Sequence, residues 1–121
     1  MIIGTGVDIT EVSRLRRAVE KWGDSFLKRC FTAKEIKAAK HRASFFEHLA
    51  GRFAAKEAIF KALGDKDLGW QDVQVFNDKD GRPFCQMLKK IDSGIDIYIS
   101  ISHVKTYAVA SAIITQKSPG T

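Results

Sequence analysis

The chain lacks several features that would place it in a common class of protein. Its 121 residues contain only two cysteines, Cys30 and Cys85, without Cys-x-x-Cys spacing. We therefore expect two reduced, partly buried thiols, as is usual in the cytoplasm, and no disulfide between them. No apolar run reaches the roughly 20 residues that span a bilayer, so we expect no membrane insertion. No basic leader precedes an apolar run at the start, which predicts that there is no signal peptide.

Acidic residues are also scarce relative to basic ones. The chain has 14 Asp and Glu against 20 Lys and Arg, for a formal net charge of +6. The basic residues concentrate in two stretches, residues 14–29 and 34–42. This balance indicates an acidic protein surface, a polyphosphate ligand or nucleic acid as partner, although most charge runs are simply solvated helix faces.

The order of apolar and turn residues predicts one α+β domain over residues 1–115, with a flexible tail at 116–121. One strand is followed by about three helices and then by a single antiparallel meander. Hydrophobic residues make up 45% of the chain, which is enough for a core. A strand is expected at 2–7, with Asp8 at its end. Asp8 or Thr10 is the predicted N-cap of the following helix, which extends to Trp22 and ends at Gly23. Three further helices are predicted: 26–31, a helix opened by a Thr32–Glu35 capping box, and 44–63. The further predicted strands are 73–77, 83–88, an alternating strand from 95, and 107–115. Residues 92–94 are a predicted turn, and residues 103–106 a predicted hairpin loop.

The long helix carries a carboxylate and an ammonium one turn apart. Glu57 and Lys61 are four residues apart and so share a helix face. A carboxylate can hold a divalent cation and an ammonium can neutralise phosphate oxygens, as a metal–phosphate site requires. Spacing alone equally fits an ordinary surface ion pair, which is the more common case.

Three segments read together resemble the 4′-phosphopantetheinyl transferases. The segments are Gly6-Val7-Asp8-Ile9, the stretch from Arg52 to Gly64 (RFAAKEAIFKALG), and Ser100-Ile101-Ser102-His103. Their order and the chain length resemble the short, single-domain holo-acyl-carrier-protein synthase type, and Asp80-Gly81-Arg82-Pro83 falls between the second and third segments. The resemblance implies the fold of that family, with an antiparallel sheet packed on a long helix and short helices after the first strand.

The resemblance also implies a reaction. Such enzymes transfer the 4′-phosphopantetheine group of coenzyme A to a serine of apo acyl carrier protein, which releases adenosine 3′,5′-bisphosphate. By similarity, Asp8 and Glu57 hold Mg²⁺, and Lys61 contacts the pyrophosphate. These three residues form the expected catalytic set. The preference of Mg²⁺ for hard oxygen ligands supports the two carboxylates as its ligands. The base that takes the serine proton stays open between Glu57, Asp8 and a metal-bound water.

Weaker similarities extend the predicted coenzyme A site. The residues that match the family here are Arg52, Gly64, Arg82, Pro83 and His103. In the family, the Arg82–Pro83 turn comes from a neighbouring subunit, so the resemblance implies a homotrimer with sites at subunit boundaries. The stretch before the long helix departs from the family pattern at Lys40-His41-Arg42, so the contact with the coenzyme 3′-phosphate is expected to shift. His41 and His48 match no motif and are interpreted as surface or packing residues.

The basic first helix is the predicted docking surface for an acidic acyl carrier protein. Arg14 is the principal candidate, and Arg17 and Lys21 follow on the same face. The resemblance further implies a cytoplasmic enzyme of fatty acid biosynthesis and lipid metabolism that does not act on nucleic acid. The alternatives are a basic nucleic-acid-binding module and a catalytically silent binder of coenzyme A or carrier protein.

Overall fold

The computed structural model describes residues 1–90 and 94–117. The strands are β1 (Ile2–Glu11), β2 (Val73–Asn77), β3 (Pro83–Met87), β4 (Ile95–His103) and β5 (Tyr107–Gln116); the helices are α1 (Val12–Trp22), α2 (Asp24–Cys30), α3 (Ala33–Lys40) and α4 (Phe45–Leu63), and a single 3₁₀ turn spans Trp70–Asp72. The α+β class is therefore confirmed. Most of the predicted 92–94 turn and residues 118–121 of the predicted tail lie outside the described residues.

The described strands form two sheets rather than one meander. β5 lies between β1 and β4 in an antiparallel three-stranded sheet, and β2 pairs with β3 in a separate antiparallel ribbon. The predicted single meander after the helices is thus wrong. β2 and β3 form a separate ribbon because Val73 and Val75 of β2 bury their side chains in a cluster with residues of α4. The ribbon therefore packs on the helix instead of extending the three-stranded sheet.

Small residues allow α4 to lie close against the three-stranded sheet. Ala54, Ala55 and Ala58 of α4 are fully buried. On β1, a Cβ at Gly4 or Gly6 would overlap backbone carbonyl oxygens of α4. Only glycine permits this approach, and it places the residues that follow Gly6 on β1 beside the helix.

A buried ion pair ties the other side of α4 to α3 and β2. Lys56 Nζ lies 2.7 Å from Glu35 Oε1 and donates to the Cys30 carbonyl at 3.0 Å. Glu35 also accepts hydrogen bonds from the backbone N–H groups of Thr32 and Val75. Burial lowers the pKa of Lys56, and the adjacent Glu35 carboxylate opposes that shift. The pair is fully enclosed and hydrogen-bonded, so removing one partner would leave a buried charge uncompensated.

Several predicted boundaries are confirmed. The Thr32–Glu35 capping box is present, and Gly64 ends α4 with a left-handed φ of 65°. Gly23 ends α1, as predicted. Both cysteines are free thiols: Cys30 is buried and Cys85 half-buried.

The predictions for the ends of β1 and β4 are wrong. β1 continues past residue 7 because it stays paired with β5 as far as Glu11 and Tyr107, so Asp8 lies inside the strand. Neither Asp8 nor Thr10 caps α1; Glu11 occupies that position without a side-chain cap. His103 belongs to β4 and pairs with Ala108, which leaves only residues 104–106 in the hairpin loop.

Candidate functional site

A cleft of about 440 Å³ lies between β1, α1 and α4. Asp8 and Thr10 reach it from β1, Arg14 from α1, and Phe53 and Glu57 from α4. Asp8 and Thr10 follow Gly4 and Gly6 at a spacing of two, so all four face the helix. The structure therefore brings Asp8 and Glu57, predicted from distant parts of the sequence, into one cleft.

The two carboxylate oxygens of Asp8 have different partners. Oδ1 lies 3.2 Å from Lys61 Nζ, which also donates to the Val7 carbonyl at 3.1 Å. Oδ2 accepts a hydrogen bond from the hydroxyl of Thr10 at 3.0 Å. The ammonium of Lys61 thus pairs with Asp8, and among residues 1–90 and 94–117 no ion pair joins it to Glu57.

Glu57 is half-buried on the cleft wall. Burial raises the pKa of its carboxyl group, the nearby Asp8 charge raises it further, and Lys61 lowers it. Asp8 and Glu57 line the same cleft, so the Asp8 charge repels the ionised form of Glu57. A cation between them would relieve that repulsion.

The donor set of this cleft fits a hard divalent cation. In the described part of the chain, no group of three or more His, Cys, Asp or Glu side chains is arranged to hold a metal. A zinc site in a protein normally has three or four such side-chain ligands. Mg²⁺ commonly takes one or two carboxylates and completes its coordination with phosphate oxygens and water. Asp8 and Glu57 match that requirement.

Three of the predicted coenzyme-binding residues line a second, smaller cleft of about 190 Å³. Arg52, Pro83 and His103 line it. Arg52 is buried and donates from Nη2 to Asn77 Oδ1 at 2.8 Å, and burial lowers its pKa to about 10. His103 Nδ1 lies 3.5 Å from a carboxylate oxygen of Glu47. Arg52 therefore remains a cation at neutral pH and adds positive charge to the cleft wall.

The two clefts lie on different flanks of α4. Arg52 and Glu57 are five residues apart, which corresponds to about 140° around a helix axis. Arg82 is exposed in the turn before β3, where its N–H donates to Asp78 Oδ1 at 2.9 Å. Gly64 caps the far end of α4. The predicted coenzyme-binding residues thus do not gather in one cleft of a single chain.

The predicted docking residues lie on the exposed side of α1. Arg14 borders the first cleft, and Arg17 and Lys21 continue the basic face away from it. Arg17 approaches Glu11 at 4.0 Å, and Lys21 Nζ lies 4.9 Å from the ring centre of Trp22. All three cations are accessible to an acidic partner.

Sequence reasoning missed two residues at these clefts. Thr10 was considered only as a helix cap, because the strand was expected to end at residue 7. His48 lines the second cleft, and within the described residues its Nε2 is buried without a hydrogen-bond partner. Its position one helical turn before Arg52 was the available signal, since residues four apart share a face.

Comparison with known proteins identifies the family of this chain. The family model of the 4′-phosphopantetheinyl transferase superfamily matches residues 4–112. The chain belongs to this superfamily. A holo-[acyl-carrier-protein] synthase of Thermodesulfovibrio yellowstonii is 46% identical over 95% of this chain and 100% of its own length. One from Halothermothrix orenii is 40% identical over 93% of this chain and 97% of its own.

The superfamily fold is confirmed by solved structures. The crystal structure of a holo-(acyl-carrier-protein) synthase from Bacillus anthracis, in complex with CoA (3′,5′-ADP), has a TM-score of 0.82 and 36% identity, and covers 98% of this chain and 99% of its own. Within the described part of the chain, no helix has the length and apolar character needed to cross a membrane.

Proposed function

We propose that this chain transfers the 4′-phosphopantetheine group of coenzyme A to a serine hydroxyl of apo acyl carrier protein, with release of adenosine 3′,5′-bisphosphate. The observation that carries the proposal is that Asp8 and Glu57 line the first cleft, with Lys61 paired to Asp8. Relatives over nearly the whole chain carry the name holo-[acyl-carrier-protein] synthase, and one structural neighbour was solved with a coenzyme A ligand.

The chemistry requires positive charge at a pyrophosphate. Asp8 and Glu57 would hold Mg²⁺, which supplies charge neutralisation to the phosphate oxygens when bound. Lys61 acts as a point charge on the pyrophosphate, where negative charge grows in the transition state. The serine nucleophile belongs to the carrier, so this chain needs no nucleophile of its own. Asp8 and Glu57, which line the cleft, are the candidates in this chain to accept its proton.

We also propose that the working unit is a homotrimer with sites at subunit boundaries. Arg52, Pro83 and His103 lie on a different flank of α4 from Glu57, so a coenzyme A molecule held at the first cleft would meet the second cleft of a neighbouring copy. The turn containing Arg82 would then approach the adenosine end from that neighbour. Gly64 would bring backbone close to the coenzyme at the end of α4.

The basic face of α1 supplies the carrier-docking surface in this proposal. Arg14, Arg17 and Lys21 are exposed beside the first cleft. Attraction between this face and an acidic carrier would raise the association rate and align the serine with the cleft. Holo carrier protein is used in fatty acid biosynthesis, so we place the enzyme in cytoplasmic lipid metabolism, without a nucleic-acid partner or insertion in a membrane.

A direct transfer assay tests the proposed function. The protein is incubated with apo acyl carrier protein, coenzyme A and Mg²⁺, and the carrier is examined by mass spectrometry. We expect a phosphopantetheine adduct on the carrier, and a loss of about 10²-fold or more in rate for Asp8→Ala and Glu57→Ala. Absence of an adduct with every carrier tested would refute the enzyme, and full activity of both variants would refute the cation ligands. A gel-shift with mixed nucleic acids tests the alternative class.

Replacement of one cation on α1 tests carrier docking. We expect Arg14→Ala to raise KM for the carrier about tenfold and to leave KM for coenzyme A nearly unchanged, because a docking charge acts mainly on association. Arg16→Ala is the matched control, since Arg16 lies on the same helix but over the ring of Phe46, at 4.9 Å. Equal effects of the two substitutions on the carrier KM would contradict a docking face at Arg14.

A further inference from the structure

The hydroxyl of Thr10 contacts the carboxylate on which the proposed function depends. Thr10 Oγ1 donates to Asp8 Oδ2 at 3.0 Å, and both side chains project from the same face of β1 into the first cleft. Asp8 and Thr10 stand opposite Ala110 and Ala108 in the β1–β5 register, and both alanines are buried on the inner face of the sheet. The threonine side chain is therefore held by a paired strand rather than by a loop.

This hydrogen bond distinguishes the two oxygens of Asp8. Oδ2 is occupied by the Thr10 hydroxyl, and Oδ1 lies 3.2 Å from the ammonium of Lys61. A carboxylate held through one oxygen cannot rotate freely about its terminal bond. Each oxygen accepts one hydrogen bond and keeps a further lone pair, so the Thr10 hydroxyl fixes the plane of the carboxylate without removing it as a ligand.

We infer that Thr10 is a positioning residue for the Asp8 carboxylate, whose orientation toward the divalent cation it fixes through this hydrogen bond. This inference rests on the proposed function. Groups that hydrogen-bond a metal ligand fix its orientation, and their loss typically lowers metal affinity 10–100-fold. Thr10 acts through Asp8, to which its hydroxyl proton is directed.

Two substitutions distinguish a positioning role of Thr10 from a purely structural role in β1. Valine has the shape and the β-branched stiffness of threonine and suits a strand equally well. A Thr10→Val substitution therefore removes the hydrogen bond and leaves β1 intact. Thr10→Ser restores a hydroxyl with a smaller side chain.

Binding of Mn²⁺ as a substitute for Mg²⁺ tests the inference without relying on turnover. Free Mn²⁺ is measured by electron paramagnetic resonance during titration of the protein alone. We expect the Kd of Thr10→Val for Mn²⁺ to be about tenfold above that of the unaltered chain, and that of Thr10→Ser to return to within about twofold. Thr106→Val is the matched control, because Thr106 is exposed in the hairpin between β4 and β5, away from the first cleft.

The transfer assay then distinguishes failure of this inference from failure of the proposed function. We expect Thr10→Val to raise the KM for Mg²⁺ and to retain kcat at saturating Mg²⁺, since the defect lies in cation binding. An active unaltered chain whose Thr10→Val variant binds Mn²⁺ equally well would overturn the positioning role and leave the transferase standing. An unaltered chain that modifies no carrier would overturn the transferase itself.

Discussion

Single side chains at this site depend on partners that lie far away in the sequence. Asp8 meets Lys61 across more than 50 residues, and Arg52 meets Asn77 across the interval between α4 and β2. The sequence identified Asp8, Glu57 and Lys61 as a set through their motifs. It could not show that Lys61 pairs with Asp8 rather than with Glu57, because that choice depends on how closely β1 approaches the helix.

His48 provides a test at the scale of one residue. Burial lowers its pKa from the ordinary 6.5 to about 4, and the nearby charges of Arg52, Arg42 and His103 act in the same direction. The folded state therefore leaves His48 neutral where the unfolded chain takes up a proton. The contribution of His48 to the free energy of unfolding is fully present above pH 6.5. It is lost as the pH falls towards 4, and the loss is roughly 2–3 kcal/mol.

Urea unfolding at several pH values measures this effect. Between pH 7 and pH 4, we expect the unaltered chain to lose more unfolding free energy than the His48→Phe variant. The variant therefore gains stability relative to the unaltered chain as the pH falls. Phenylalanine fills a similar volume and does not titrate. Two stability curves that run parallel across this pH range would contradict a neutral buried His48.

At the scale of elements, the position of β1 against α4 decides whether a site exists. Gly4 and Gly6 place the strand against the backbone of the helix near Ala62 and Ala58. The predicted helix limits at 44–63 were nearly correct, because they depend on local caps such as Gly64. The end of β1 was wrong, because its pairing continues for as long as β5 offers a partner.

The close approach of β1 predicts a specific effect for Gly6→Ala. The added Cβ would overlap the Ala58 carbonyl oxygen, so the strand must move and carry Asp8 away from Lys61. We expect a loss of roughly 1–3 kcal/mol in unfolding free energy and about 10² in transfer rate, since small displacements of catalytic groups are costly. Urea unfolding and the mass-spectrometric assay measure both.

Gly69→Ala is the control for that substitution. A Cβ at Gly69 would lie 3.6 Å from an Asp72 carboxylate oxygen, an ordinary contact. We expect this variant to keep its transfer rate and to differ little in stability. Unchanged activity of Gly6→Ala would show that the strand tolerates the methyl group and that its close approach is not needed.

At the scale of the whole molecule, the outer face of the three-stranded sheet carries exposed apolar side chains. Val7 and Ile9 of β1 are 61% and 66% exposed, and Val109 of β5 and Tyr98 of β4 are 40% and 58% exposed. Ile9 pairs with Val109 across the sheet, so the apolar surface is continuous between strands. Such a surface is typical of an interface with another chain. It supports the proposed trimer.

A charge on this face tests the assembly. We expect the unaltered chain to sediment as three copies and Val109→Asp to sediment as monomers, because burying an unpaired carboxylate costs several kcal/mol. We also expect loss of transfer, since the second cleft would no longer face the first. Leu88→Asp, which alters an exposed residue just after β3, is the control. A Val109→Asp variant that keeps the assembly of the unaltered chain would refute an interface at this face.

The sequence by itself determined the helices with strong local signals, the alternating strands, and the separate motifs from which Asp8, Glu57 and Lys61 are predicted to share one site. Those features depend on caps, periodicity and motif residues that lie close together along the chain. Only the tertiary structure decided the separation of the two sheets, the pairing of Lys61 with Asp8, the contact of Thr10 with Asp8, and the separation of Arg52, Pro83 and His103 from the first cleft. Each depends on contacts between distant segments, which packing against α4 fixes and no local pattern records.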